Sequence, residues 1–381
     1  VVRVFAVVLL TACSFHNASS VDATTFDVTP VGDGPLVLHV AHVPSSVTAV
    51  FDATASLAIT DATLDTGSTG IDPMLTITLP TGASLLTSAQ DGGGPELAIL
   101  ETGDLTVSGT LAVRGSRPLV VIARSTIIVS GAIDGSAIKD VPGPGGYGPG
   151  VGSGMGASGV DDAASFDDSG GGGGGFGEVG GKGQPSGPCD GGAGGVAYGT
   201  PELMTLEGGS GGGAMSPACA ARPAGAGGGA VQLYAGETIT IDGAVRVNGG
   251  GGAGGMVCSG LGTGGSGGGA GGAIYLQTQG VVGSGLVLAQ GGGGSGASNF
   301  NTSVEGGYGE DGAATIIAAK GGTGPGTGVG GEDNSGGNAG FRDARPETLV
   351  AISGSSFGNG GGGGGGVGRI VIRASAASVG T

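Results

Sequence analysis

Leu64-Asp65-Thr66-Gly67-Ser68 sets a carboxylate in a tight turn behind an apolar run. A carboxylate so placed activates water by sharing a proton with a second one, which needs two such turns or a dimer. The other candidate, Asp167-Asp168-Ser169-Gly170, lacks the apolar run and leads into glycine. Asp-Thr-Gly is also an ordinary turn between strands, and that is the reading adopted. Gly306-Gly307-Tyr308-Gly309-Glu310-Asp311 matches the first six positions of a calcium-binding nonapeptide, which makes Asp311 the one Ca2+ candidate. Ala313 stands where a large apolar residue belongs, and such sites form between consecutive copies, so a polar loop is expected there. Gly180-Gly181-Lys182-Gly183 lacks the Ser or Thr that a phosphate loop uses to hold magnesium. His39 and His42 fall on opposite faces if they lie on a strand, and His16 sits near the N-terminus. No catalytic residue, metal or other cofactor is expected.

The opening Val1–Cys13 has a different chemistry. Arg3 is a short positive region, Val4 to Leu10 form a brief apolar core, and Leu10-Thr11-Ala12-Cys13 follows. This resembles the signal peptide and lipobox of bacterial lipoproteins, a resemblance confined to these residues. It implies that the Cys13 thiol takes a diacylglycerol and becomes the first residue of the mature chain. The apolar core is shorter than a membrane-spanning helix, so the acyl group would be the membrane attachment. Residues 14–32, with Ser19, Ser20, Thr24 and Thr25, read as a tether. Cys189, Cys219 and Cys258 lie in glycine- and proline-rich stretches. In an oxidising compartment one disulfide among these three is expected, with the pairing left open. The active-site loop of aspartic proteases resembles residues 64–68, but the missing second loop sets that resemblance aside.

Composition narrows the class. The chain has 381 residues, 97 of them glycine, with no tryptophan and a formal net charge of −17. Such a charge repels nucleic acid, which needs a basic footprint, so no nucleic-acid partner is expected. Thirteen of the glycines fall in residues 1–140 and the rest beyond. The strict G-X-Y period of collagen is missing. Hydrophobic residues reach 38 % and mean hydropathy is +0.28, against disorder along the whole length.

The elements that would position any site come as a repeat. Leu119–Arg124, Thr126–Val129 and Gly131–Gly135 form one copy, and Ala230–Ala235, Thr238–Ile241 and Asp242–Val247 a second. Ala273–Gln277 with Leu286–Ala289 makes a third, and Gly368–Arg373 begins a fourth. Leu75–Leu79, Leu97–Leu100 and Leu105–Val107 read as earlier strands. Alternation turns Val231 and Leu233, or Ile370 and Ile372, to one face, with Gln232 or Val371 on the other. One such unit cannot bury its apolar face alone, so copies must stack. The expected fold is all-β, a parallel β-helix or β-solenoid with long glycine-rich loops, ahead of a β-sandwich or an antiparallel barrel. The division expected is signal peptide 1–13, tether 14–32, β-rich rungs 33–140, glycine-rich insertion 141–229, solenoid rungs with glycine loops 230–375, and tail 376–381. Tracts 141–229, 249–272, 291–312 and 321–368 leave and re-enter the repeat at matching points. They are expected either to pack as extended three-fold glycine helices or to remain flexible loops.

Lipobox, SRPLVVIA-type strands and GGGGAGG tracts together are similar to glycine-rich bacterial surface lipoproteins. The tract composition resembles PE-PGRS proteins, although no PE module is present. The resemblance implies an envelope-displayed protein, with no substrate or ligand attached. The function expected is that of a non-enzymatic outer-membrane or cell-surface protein, structural or adhesive, partnered by the membrane through its acyl anchor and by surface glycans or envelope proteins. The alternative is a carbohydrate-active β-helix enzyme, which needs clustered carboxylates along an outer strand face. Here those positions are mostly Val, Ile, Thr and Gln, and Asp134 and Asp242, beside glycine in two copies, suit turns.

Overall fold

The computed structural model describes residues 39–161, 168–215, 222–258, 261–299, 303–324, 335–340, 359–374 and 376–378. The lipobox with Cys13, the tether, Asp167 and Cys219 lie outside the described residues.

A single helical turn, Ser45–Thr48, precedes five strands: β1 (Ser56–Asp65), β2 (Met74–Leu75), β3 (Ser84–Ser88), β4 (Leu97–Thr102) and β5 (Asp104–Arg114). The first repeat copy supplies β6 (Leu119–Ala123), β7 (Thr126–Val129) and β8 (Ala132–Asp134). The second supplies β9 (Ala230–Ala235), β10 (Thr238–Ile241) and β11 (Ala244–Arg246). A small hairpin, β12 (Val257–Cys258) with β13 (Leu261–Gly262), comes before the third copy. That copy is β14 (Ala273–Gln277), β15 (Gly280–Val282) and β16 (Leu286–Leu288), and β17 (Arg369–Arg373) and β18 (Ala376–Ser378) follow. The last strand lies within the expected tail.

First strands of the copies line up in a six-stranded sheet, in the order β17-β14-β9-β6-β4-β3. Second and third strands join a ten-stranded sheet that forks at the long β5, whose first half pairs with β7 and second half with β8. Copies pair in parallel and in register, Ile133 beside Val245 and Val245 beside Val287. One core fills the space between the sheets, with Leu111, Ile127, Ile133, Val231, Leu233, Ile239 and Ile274 among its fully buried residues. Each contributes about 2 kcal/mol by leaving water, and three β-branched residues stacked at one register position make a slip costly.

The expected parallel β-helix, or closed β-solenoid, is not what forms. Both large sheets are open, and both are mixed, because β1–β2 and β3–β4 pair antiparallel. A closed coil carries the chain back into its sheets rung after rung, with any loop projecting from the coil. Here each copy leaves the sheets after its third strand, at Asp134, Arg246 or Leu288, and returns only at Ala230, Ala273 or Arg369. The intervening chain is too long to be a turn and forms a body of its own. Leu75–Leu79 is also mostly irregular: only Met74–Leu75 is strand, while Leu75, Ile77 and Leu79 pack against the core.

Both faces of the six-stranded sheet are covered. Val231, Leu233 and Ile274 face the main core. The opposite face packs Val120, Ile122 and Tyr275 against Val40, Val43, Phe176, Leu203 and Leu206. The buried Gln232 and Gln277 tie the segment from His39 across this face. Gln277 accepts from Ala41 N–H at 2.9 Å and donates to His39 C=O at 2.8 Å. Gln232 donates to Ala41 C=O and meets His42 Nδ1 at 2.7 Å.

Candidate functional site

The feature that dominates the molecule outside the sheets is the glycine body. Its organisation is clearest in residues 263–272. The N–H groups of Gly265, Gly268 and Gly271 donate to the carbonyls of Gly360, Gly363 and Gly366 at 2.8–3.0 Å. Those of Ser266, Gly269 and Gly272 donate to Ala253, Gly250 and Val247, and those of Gly267 and Ala270 to Gly213 and Ser210. Carbonyls of the same segment accept from Gly171 and Gly174, from Gly225 and Gly228, and from Gly292 and Ser295. Partners recur every third residue, as in an extended helix with three residues per turn. The segment is bonded to six neighbouring segments.

Residues 168–177 are enclosed in the same manner: Gly172 and Gly175 donate to Ala157 and Gly154, Gly171 and Gly174 to Gly265 and Gly268, and Gly173 to Gly181. Of the two expectations, packing as three-fold helices is what these described segments show. The reason they are glycine is spatial. A Cβ on Gly172, Gly268 or Gly292 would lie closer than 3.0 Å to a neighbouring backbone carbonyl. A glycine's extra chain entropy, about 0.5–1 kcal/mol relative to alanine, is of the same size as one net hydrogen bond, about 1 kcal/mol. Only the mutual enclosure of many tracts, which would leave donors buried and unpaired if any tract withdrew, tips the balance. Serines add side-chain bonds inside the body, with Ser295 Oγ donating to Ala253 C=O at 2.6 Å and Ser298 Oγ to Met256 C=O at 2.7 Å.

Outward positions differ in kind. Val151, Met155 and Val160 on one tract, Val196 on the adjoining one, and Val179 are exposed. Lys139 Nζ sits 4.7 Å from the centre of the exposed Tyr308 ring, and Arg222 pairs with Glu305 at 2.8 Å. This outer face offers small and aliphatic side chains on a backbone fixed by its hydrogen bonds.

The residues singled out for chemistry are dispersed. Asp65 Oδ1 accepts from Gly67 N–H at 2.8 Å, closing a side-chain turn at the end of β1. Arg117 then braces that turn, donating to the carbonyls of Thr66, Ser68 and Ile71. Asp168 is buried in the glycine body. Asp311 Oδ1 accepts from the N–H groups of Lys139 and Gly251 at 2.9 and 2.8 Å, a clamp between a glycine tract and the turn that follows β8. No group of three or more metal-ligating side chains occurs among the described residues. Lys182 pairs with Asp190 at 3.5 Å. His42 is buried at the turn after His39, not on a strand, and its Nε2 meets Leu203 C=O. Cys258 is disulfide-bonded, and Cys189 is buried in a bridged turn with Ser186.

Buried carboxyls have local partners. Burial pushes Glu101 above its ordinary value against the Ser84 hydroxyl, which donates to it at 2.6 Å. Burial likewise raises Glu207, countered by the Tyr147 hydroxyl. For Asp134 burial works upward too, but the Arg246 guanidinium at 2.9 Å and the Ser136 N–H outweigh it and hold the carboxyl low. That ion pair joins equivalent points of two copies, and the repeat alignment was the only signal for it. The Tyr147–Glu207 hydrogen bond had no motif to reveal it, because its members come from separate tracts. A cleft of about 210 Å³ opens between β16 and β17, and no ionisable side chain lines it. No helix among the described residues is long and apolar enough to cross a membrane. No family model, curated protein or solved structure matches the chain.

Proposed function

We propose that the protein is a non-enzymatic, lipid-anchored component of the bacterial cell envelope, structural or adhesive in role, that displays the outer face of its glycine body. The order of that body carries the reading. Tracts bonded to neighbouring tracts hold their surface side chains on a fixed backbone, so a contact made there loses little conformational entropy. Placement at the outer membrane or cell surface, with Cys13 as acyl attachment, rests on the lipobox resemblance, and surface glycans or envelope proteins are the partners in view. The formal charge of −17 argues against nucleic acid.

Protease shaving of intact cells, comparing wild type with Cys13→Ser, tests it. The expected result is a membrane-associated, shaved wild type and a mutant released in soluble form. A wild type that resists shaving in intact cells overturns surface display. Release of neither form overturns the acyl anchor.

A further inference from the structure

The six-stranded sheet is finished differently at its two edges. One ends in β3, paired antiparallel to β4, with Leu75, Ile77, Leu79 and Leu85 packed over that end of the core. The other ends in β17, which has β14 as its one neighbour among the described residues. Arg369 N–H donates to Gly272 and Arg373 C=O accepts from Thr278, both on the β14 side. Alternation therefore turns the N–H and C=O of Ile370 and Ile372 away from the sheet. Ile370 is 37 % exposed, whereas its ladder equivalents Ile274 and Val231 are 0 % exposed.

Beside the start of this strand lies the cleft of about 210 Å³, with Val287, Leu288, Val367, Ile370 and Gln290 on its wall. Gln290 is 2 % exposed, and its side-chain oxygen has no hydrogen-bond partner. A strand edge with no second neighbour among the described residues, an apolar cleft and a buried acceptor without a donor thus meet at one place.

Charge selects the occupant. Arg369, whose guanidinium donates to the Phe176 and Tyr198 carbonyls, and the exposed Arg373 bracket Ile370-Val371-Ile372 in a chain with only 13 basic residues against 30 acidic ones. A second copy paired antiparallel about Val371 would set Arg369 opposite Arg373, and like charges directly opposite destabilise a strand pair. A strand with carboxylates at those places reverses the sign.

We propose that β17 and the adjoining cleft take up a partner polypeptide by β-strand addition. The partner segment is extended, aliphatic at its centre and flanked by carboxylates. Its backbone pairs with Ile370 and Ile372, one aliphatic side chain enters the cleft, and a donor reaches Gln290. This goes beyond the envelope reading and does not depend on it.

Fluorescence anisotropy of the full chain with a labelled peptide SEVTVES, against SKVTVKS, tests the proposal. The acidic peptide is expected to bind about tenfold more tightly, and Arg373→Glu, at an exposed position, to invert that preference. Hydrogen exchange gives a second readout: the Ile370 and Ile372 amides are fast alone and become protected by the acidic peptide. Failure of both peptides to bind, or a preference unmoved by Arg373→Glu, would sink the proposal. So would slow exchange at these two amides before peptide is added, or a dimer that excludes the peptide. Either would mean that a second copy or the chain's own residues already cover the edge.

Discussion

Asp134 and Arg246 carry the clearest charge interaction between repeat copies, at 2.9 Å with both side chains largely buried. The carboxyl is held below its ordinary value of 3.8, so its stabilising contribution is present above that value and is lost as pH falls through the lower folded one. Asp134→Asn should therefore lower stability by about 1 kcal/mol at neutral pH. The difference should shrink as pH falls below 3.8. Urea midpoints for both proteins across that range check it, and a difference independent of pH would assign the effect to packing instead. By sequence Asp134 stands level with Asp242 as a turn residue, whereas Asp134 ends β8 and lies opposite Arg246. The adjacent glycine points to a turn, and the ion pair arises only once the copies lie side by side.

Tracts and strands divide the work at the scale of elements. Strands bury β-branched side chains against each other, whereas tracts bury backbone against backbone. The two respond oppositely to an added methyl group. Gly268→Ala would drive its Cβ into the carbonyl of Gly292, and the rigid surround leaves no room to yield. A loss of about 3 kcal/mol is expected, at the upper end for overpacking. Gly148 has nothing within 4 Å of such a Cβ, so Gly148→Ala should change stability by less than about 0.5 kcal/mol. Thermal or denaturant unfolding of the two variants measures the contrast, and equal effects would mean that the tracts are not packed. Strand positions were largely legible, because β6 to β11, β14 and β17 fall where apolar runs sit between Gly and Asp-Gly turns. β1 and β3 were not, since their sequences, SLAITDATLD and SLLTS, mix polar and apolar residues without a repeat partner.

The sheets and the glycine body are continuous at the scale of the whole molecule. Gly272 accepts from Arg369 at the start of β17, and Val247 accepts from Gly272 just past β11. Opening an inner tract would therefore break bonds to six neighbours and loosen strand ends as well. The amides of Gly265–Gly272 should exchange only by global unfolding, as slowly as those of β9 and β14. Exposed turns such as Gly92–Gly94 should exchange fast. Hydrogen exchange with mass spectrometry reads both, and fast exchange across 265–272 would refute the packed body.

Composition and spacing by themselves determined a β-rich chain, the strand repeat, and tracts that leave and return at matching points. These follow from local rules: alternation needs only the side chains of one strand, and turns need only their own residues. The tertiary structure alone decided that the sheets stay open and that tracts enclose one another. A glycine carries no side chain to mark which neighbour it will meet. Its partners, such as Gly265 with Gly360 or Gly171 with Gly265, lie far apart in the chain and are selected only by the mutual fit of backbones.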